Sequence, residues 1–181
     1  MATVDSSSMI NWRVREAVAE DIPDILQMIK DLAVYEKEPE TVVTITQEVM
    51  LRDGFGENPW FGCLIAEELQ PSRENHSLPK RRAIGYVIFY QSYSTWKGRA
   101  LYIEDLYVEP ASRGKGIGTE LIRKVCQIAL EKECVRVDWS VLHWNKVAVD
   151  FYDRLGAKLQ DEWRLYRLCG EKLLELGGSK P

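Results

Sequence analysis

No stretch of the 181 residues approaches the run of about 20 apolar residues needed to cross a bilayer, so no membrane partner is expected. Met1–Asn11 has neither the apolar core of a secretion signal nor the arginine-rich character of a transit peptide. Polar and serine-rich, it reads as a disordered leader on a cytoplasmic protein. A basic excess is also missing. The chain has 24 Lys+Arg against 28 Asp+Glu and a net charge of −4, which argues against a nucleic-acid partner and suits a cationic substrate somewhat better. Cysteine is sparse, and Cys63, Cys126, Cys134 and Cys169 show no C-x-x-C spacing; in a reducing compartment they read as free thiols, with no metal expected. No internal repeat or linker breaks the chain. The expectation is one domain over residues 12–176, with a flexible tail at 177–181 and a surface loop at 69–80.

The remaining segments carry clear periodicities. Trp12–Glu16 alternates as a short strand. Glu20–Glu36 places Ile22, Ile25, Leu26, Ile29, Leu32 and Ala33 on one helical face, with Pro23 tolerated in the first turn. Thr46 caps a second helix, and strands are expected at 60–67, 82–91 and 101–108. A central helix from Thr119 to Lys132 carries Leu121, Ile122, Val125, Ile128 and Ala129 on one stripe. A strand at 135–141, a helix at 145–155 closed by Gly156, two further strands (157–159 and 163–168) and a last helical turn at 170–176 complete the chain. The order β-α-α-β-β-β-α-β-α-β-β predicts an α/β (α+β) fold: a mixed central sheet of about seven strands with helices on both faces.

The organising motif is Arg113-Gly114-Lys115-Gly116-Ile117-Gly118, which lies between a strand and a helix. Its glycines let backbone N–H groups face outward, and the helix N-terminus adds about half a positive charge, so the loop suits an anion. The dinucleotide fingerprint fails because neither Thr119 nor Leu121 is the required glycine, and no Gly-Lys-Ser or Gly-Lys-Thr completes a P-loop. Arg-x-x-Gly-x-Gly after a strand remains. A plain strand-to-helix turn, in which glycine serves only to permit positive φ, stays open as the other reading.

This loop resembles the diphosphate-binding loop of the GNAT N-acetyltransferases. Further strings (Asp53–Pro59, Tyr93–Arg99, Leu101–Asp105, Trp144-Asn145, Phe151-Tyr152 and Leu155–Ala157) resemble the diamine, or spermidine/spermine, N-acetyltransferase branch. Within it, Ser94–Arg99 looks closer to the thialysine N-ε-acetyltransferase members. The resemblance implies acetyl-CoA as co-substrate, no metal, a small-molecule amine as the other substrate, and a homodimer in which the 166–176 segment crosses between subunits.

It also implies residue roles. Leu106, Tyr107 and Val108 would present backbone groups to the pantetheine arm. Arg113, Gly114, Lys115, Gly116, Ile117, Gly118 and Thr119 would hold the diphosphate, and Asn145, Lys146, Val147 and Ala148 would flank the far arm of the coenzyme. An alkyl ammonium is mostly protonated at pH 7, so acetyl transfer needs a group that removes a proton. Glu104 is the candidate base and Tyr152 the candidate acid for the departing thiolate. Tyr35, Glu36, Trp96, Asp105 and Glu162 are candidates for holding the amine, with Glu104 beside them. Strand alternation puts Glu104 and Asp105 on opposite faces, so both serve one site only through a bulge or across a dimer. The polyamine members carry an acidic residue where this chain has Ser94 and a proline where it has Thr95. Lys97 and Arg99 add positive charge, which disfavours long polycations. A protein lysine acetyltransferase and a non-catalytic coenzyme-binding scaffold remain the alternatives.

Overall fold

A computed structural model describes residues 11–70 and 80–178; the leader, the core of the 69–80 loop and the last tail residues lie outside the described residues. The chain divides into two compact units, residues 1–140 and 141–181.

The first unit holds a mixed five-stranded sheet in the order β1-β2-β3-β4-β5. The strands are β1 (Trp12–Glu16), β2 (Gly62–Gln70), β3 (Lys80–Ser94), β4 (Gly98–Val108) and β5 (Val137–Trp139). Neighbours from β1 to β4 are antiparallel, and β5 is parallel to β4. Helix α1 (Ile22–Tyr35) and helix α2 (Gln47–Phe55) supply Ile22, Ile25, Leu26, Met28 and Met50 to a core shared with Ile65, Tyr86, Ile88 and Tyr107 of the sheet. Helix α3 (Ile117–Glu131) buries the expected stripe, with Ile117, Leu121, Ile122, Val125 and Ala129 inside, and packs on β1 to β4.

Thr46 caps α2 as expected, its side chain accepting from the Val49 N–H. Helix α1 ends without a glycine. Lys37 turns left-handed at φ 69°, at a cost of about 1–2 kcal/mol, while Glu38 donates to the Ala33 carbonyl and Lys37 to the Val34 carbonyl. This stop leaves Tyr35 and Glu36 half-buried at the mouth of the sheet's helical face. On the far edge, Arg13 and Arg15 donate to buried Glu67 at 2.7 and 2.9 Å. Burial opposes its charge, but the two guanidiniums outweigh that and hold the carboxyl below the usual range.

The second unit contains α4 (Lys146–Arg154) and α5 (Gly170–Leu176). Asn145 caps α4 by accepting from Ala148 N–H at 3.2 Å, and Gly156, at φ 84°, closes it while Ala157 donates to the Tyr152 carbonyl. The two closing strands expected at 157–159 and 163–168 do not form, so the sheet has five strands rather than seven. Apolar alternation marks faces, but a strand also needs a ladder for its backbone. Here the Gln160 amide takes the Lys158 carbonyl at 3.1 Å, and a turn returns Trp163 N–H to the Gln160 carbonyl.

Candidate active site

The site grows from an irregularity in β4. Against β3, Tyr86 faces Tyr107 and Ile88 faces Asp105, but Phe89 faces Ile103, which leaves Glu104 as an extra residue. Tyr86, Ile88 and Tyr90 share the α1 side of β3 by alternation. Their partners Tyr107, Asp105 and Tyr102 share it too, and the Tyr90 and Tyr102 rings stack at 5.2 Å. Glu104, two residues on from Tyr102, falls on that same face. Strict alternation would have separated the two carboxylates; the bulge unites them.

The electrostatics bear this out. Burial, then the Glu104 charge, pushes the Tyr90 phenol up. Burial raises Asp105, assisted by Glu104 and opposed by the Tyr86 hydroxyl, which donates to Asp105 Oδ2 at 3.1 Å. Burial followed by the Asp105 charge raises Glu36. Three carboxylates therefore feel one another on a half-buried face lined by tyrosines. Such a face is built for a cation.

Its border is the glycine loop. Arg113 donates from Nε to the Val108 carbonyl at 2.9 Å and lays its guanidinium 4.9 Å from the Tyr35 ring centroid and 6.0 Å from that of Tyr107. Gly114 and Gly116 stand at φ 76° and 84°, and a Cβ on either would meet nothing within 4 Å, so both conformation and open space favour a ligand approaching the backbone. Ile117 is 1% exposed and can offer only its backbone, whereas Gly114, Lys115 and Thr119 are exposed. The first-turn N–H groups of α3, those of Ile117, Gly118 and Thr119 included, have no partners within their own helix.

Alongside the loop, β5 pairs with β4 only from Leu101 to Ile103. Beyond that, among the described residues, no strand pairs with the outer edge of β4 at Leu106, Tyr107 and Val108. A strand edge without a neighbouring strand, its Val108 carbonyl taken by Arg113, runs toward the glycine loop and fits an extended amide-bearing chain ending in phosphate.

Other expected residues stand apart. Trp96 sits at the β3–β4 turn and is 82% exposed; from Gly98 to Glu104 the strand runs about 20 Å, so one protomer does not bring Trp96 to the carboxylates. Ser94 is buried and its hydroxyl accepts from Lys97 N–H, shaping that turn. Tyr152, Asn145, Lys146, Val147, Ala148 and Glu162 belong to the second unit. There the Tyr152 ring lies 5.3 Å from that of Phe151, and Glu162 is exposed. Burial raises the Cys63 thiol to about 12 and lifts Cys126 as well, so neither is a ready nucleophile. Among the described residues no group of three His, Cys, Asp or Glu side chains is arranged to hold a metal ion, and no helix is long and apolar enough to cross a membrane.

Sequence reading missed Tyr86 and Tyr90. Their spacing on β3 shows that they share a face, but which carboxylate each meets depends on the bulge.

Comparison with known proteins identifies the family. Residues 33–157 match the model of the Acetyltransferase (GNAT) family. The chain is 46% identical over 174 residues to the thialysine N-epsilon-acetyltransferase of Sus scrofa, covering 94% of this chain and 100% of that one. It is 45% identical to the thialysine N-epsilon-acetyltransferase of Mus musculus, with 94% and 99% covered. An aminoglycoside N-acetyltransferase in complex with CoA shares the fold, with a TM-score of 0.66 at 16% identity and 90% and 97% of the two chains covered. A strand edge and glycine loop suited to a coenzyme, with a sequence match spanning most of the chain, make this protein a member of the GNAT acetyltransferase family.

Proposed function

We propose that the protein transfers the acetyl group of acetyl-CoA to a primary amine of a small molecule, of the thialysine, lysine-like or diamine class, by direct attack in a ternary complex. The observation that carries this reading is the β4 bulge, which gathers Glu104 and Asp105 on the face shared with Glu36. Glu36 and Asp105 hold the ammonium, with Tyr35 beside them. Glu104, the exposed member, relieves the amine of its proton directly or through a water. Tyr152 returns a proton to the departing thiolate. The coenzyme supplies the activated acetyl group. Leu106–Val108 orient its pantetheine arm, and Arg113 through Thr119 neutralise its diphosphate.

The test is turnover of acetyl-CoA against a panel of free amines and lysine peptides. Small amines carrying a second cationic group are expected to be acetylated at least about tenfold more efficiently than peptides, since two charges engage the face rather than one. Preference for peptides would overturn the assignment.

We also propose a homodimer as the working form. Within one protomer Trp96 is too distant to join the carboxylates, so its part in binding an amine would need a second copy. Sedimentation at twice the chain mass is the expected result; a monomer with full activity would remove Trp96 from the site.

A further inference from the structure

Tyr86 lies in the middle of β3 and is 0% exposed. A buried phenol hydroxyl needs a hydrogen-bond partner, and this one reaches diagonally across the β3–β4 ladder to Asp105 Oδ2. The rest of its ring packs among Ile25, Ile65, Ile88 and Tyr107, a setting that fixes the ring and so fixes the position of its hydroxyl oxygen. Asp105 needs such a partner. It follows the extra residue of a bulge, where side-chain direction is not set by alternation, and it shares its face with Glu104 and Glu36.

From this geometry we infer that Tyr86 is a positioning residue, whose hydroxyl holds the Asp105 carboxylate toward the amine face as a fixed anionic anchor. The inference rests on the reading of that face as the amine site. Several ionisable groups surround the pair. Asp31 and Glu36 belong to α1 and its end, and Cys63 to β2. Glu104 and Tyr107 come from β4, and Arg113 from the loop. Burial and the Glu104 charge favour the protonated Asp105; the Tyr86 bond is the influence that opposes them. Removing it therefore sends the Asp105 carboxyl further up, and a higher pH is needed to charge the anchor.

Tyr86→Phe keeps the ring and deletes the hydroxyl. At pH 7 the amine KM is expected to rise about tenfold, with kcat changed less than about twofold and the acetyl-CoA KM unchanged. The acid limb of kcat/KM for the amine should move up by about one pH unit. In an Asp105→Asn background the substitution should no longer move the acid limb. Carbon-13 NMR of the Asp105 carboxyl gives a readout independent of turnover, and its titration should shift upward in Tyr86→Phe. A wild-type-like amine KM, acid limb and titration in an active variant overturns the inference. A shifted Asp105 titration in an enzyme that acetylates no amine overturns the amine reading instead.

Discussion

Glu104→Gln lowers kcat by about 10²-fold at neutral pH, with little change in the acetyl-CoA KM, when followed by steady-state kinetics at saturating amine. Glutamine keeps the size and polarity of the side chain and removes its capacity to accept a proton. The chemistry makes that capacity decisive, because an alkyl ammonium titrating near pH 10 is almost wholly charged at pH 7 and has no lone pair for attack. Glu36 and Asp105 cannot substitute. Each is assigned to holding the cation, and Asp105 is already engaged by the Tyr86 hydroxyl. The defect should carry a signature: as pH rises toward the amine's own pKa, free amine accumulates and the variant's rate climbs toward the wild-type value. Tyr152→Phe should also lower kcat about 10²-fold, but without that recovery, since its lost proton is needed at the leaving thiolate. If both variants keep kcat within about twofold, the two role assignments fail together.

Most of the scaffold could be read from the sequence because its determinants are local. The apolar stripe of α3 follows from helical spacing, the α2 cap from Thr46, and the α4 stop from Gly156. Features set by partners rather than by pattern could not be read. The Glu104 bulge is a register event between two strands, and neither strand carries a glycine or proline at that point to announce it. Lys37 and Glu133 close α1 and α3 in left-handed conformations that glycine usually supplies, so those ends carry no compositional mark. The strands expected at 157–159 and 163–168 have apolar residues enough for a strand but no ladder. The glycine loop could be read as a candidate anion site, but the contact between its Arg113 and Tyr35 could not, because the two are 78 residues apart and meet only through the fold.

That contact makes Arg113 the residue whose loss should reach both substrates. Its guanidinium is shared three ways: as positive charge beside the glycine loop, as a donor to the Val108 carbonyl at the end of β4, and as a plate over Tyr35 at the end of α1. Arg113→Ala removes the positive charge beside the glycine loop, which is expected to raise the acetyl-CoA KM about tenfold or more. It also removes the cation–π contact of Arg113 with the Tyr35 ring, worth about 0.5–1 kcal/mol at an exposed site, so the amine KM should rise by about two- to fivefold. Lys115→Ala is the control. Lys115 donates from Nζ to the Ala111 carbonyl within the loop, so its loss should affect the acetyl-CoA KM alone. Arg113→Lys separates the two contributions, because an ammonium retains the charge but neither stacks as a plane nor forks as a guanidinium does. It should recover much of the coenzyme affinity and little of the amine affinity. An amine KM that stays at the wild-type value in Arg113→Ala would show that the Tyr35 stack has no part in shaping the amine face.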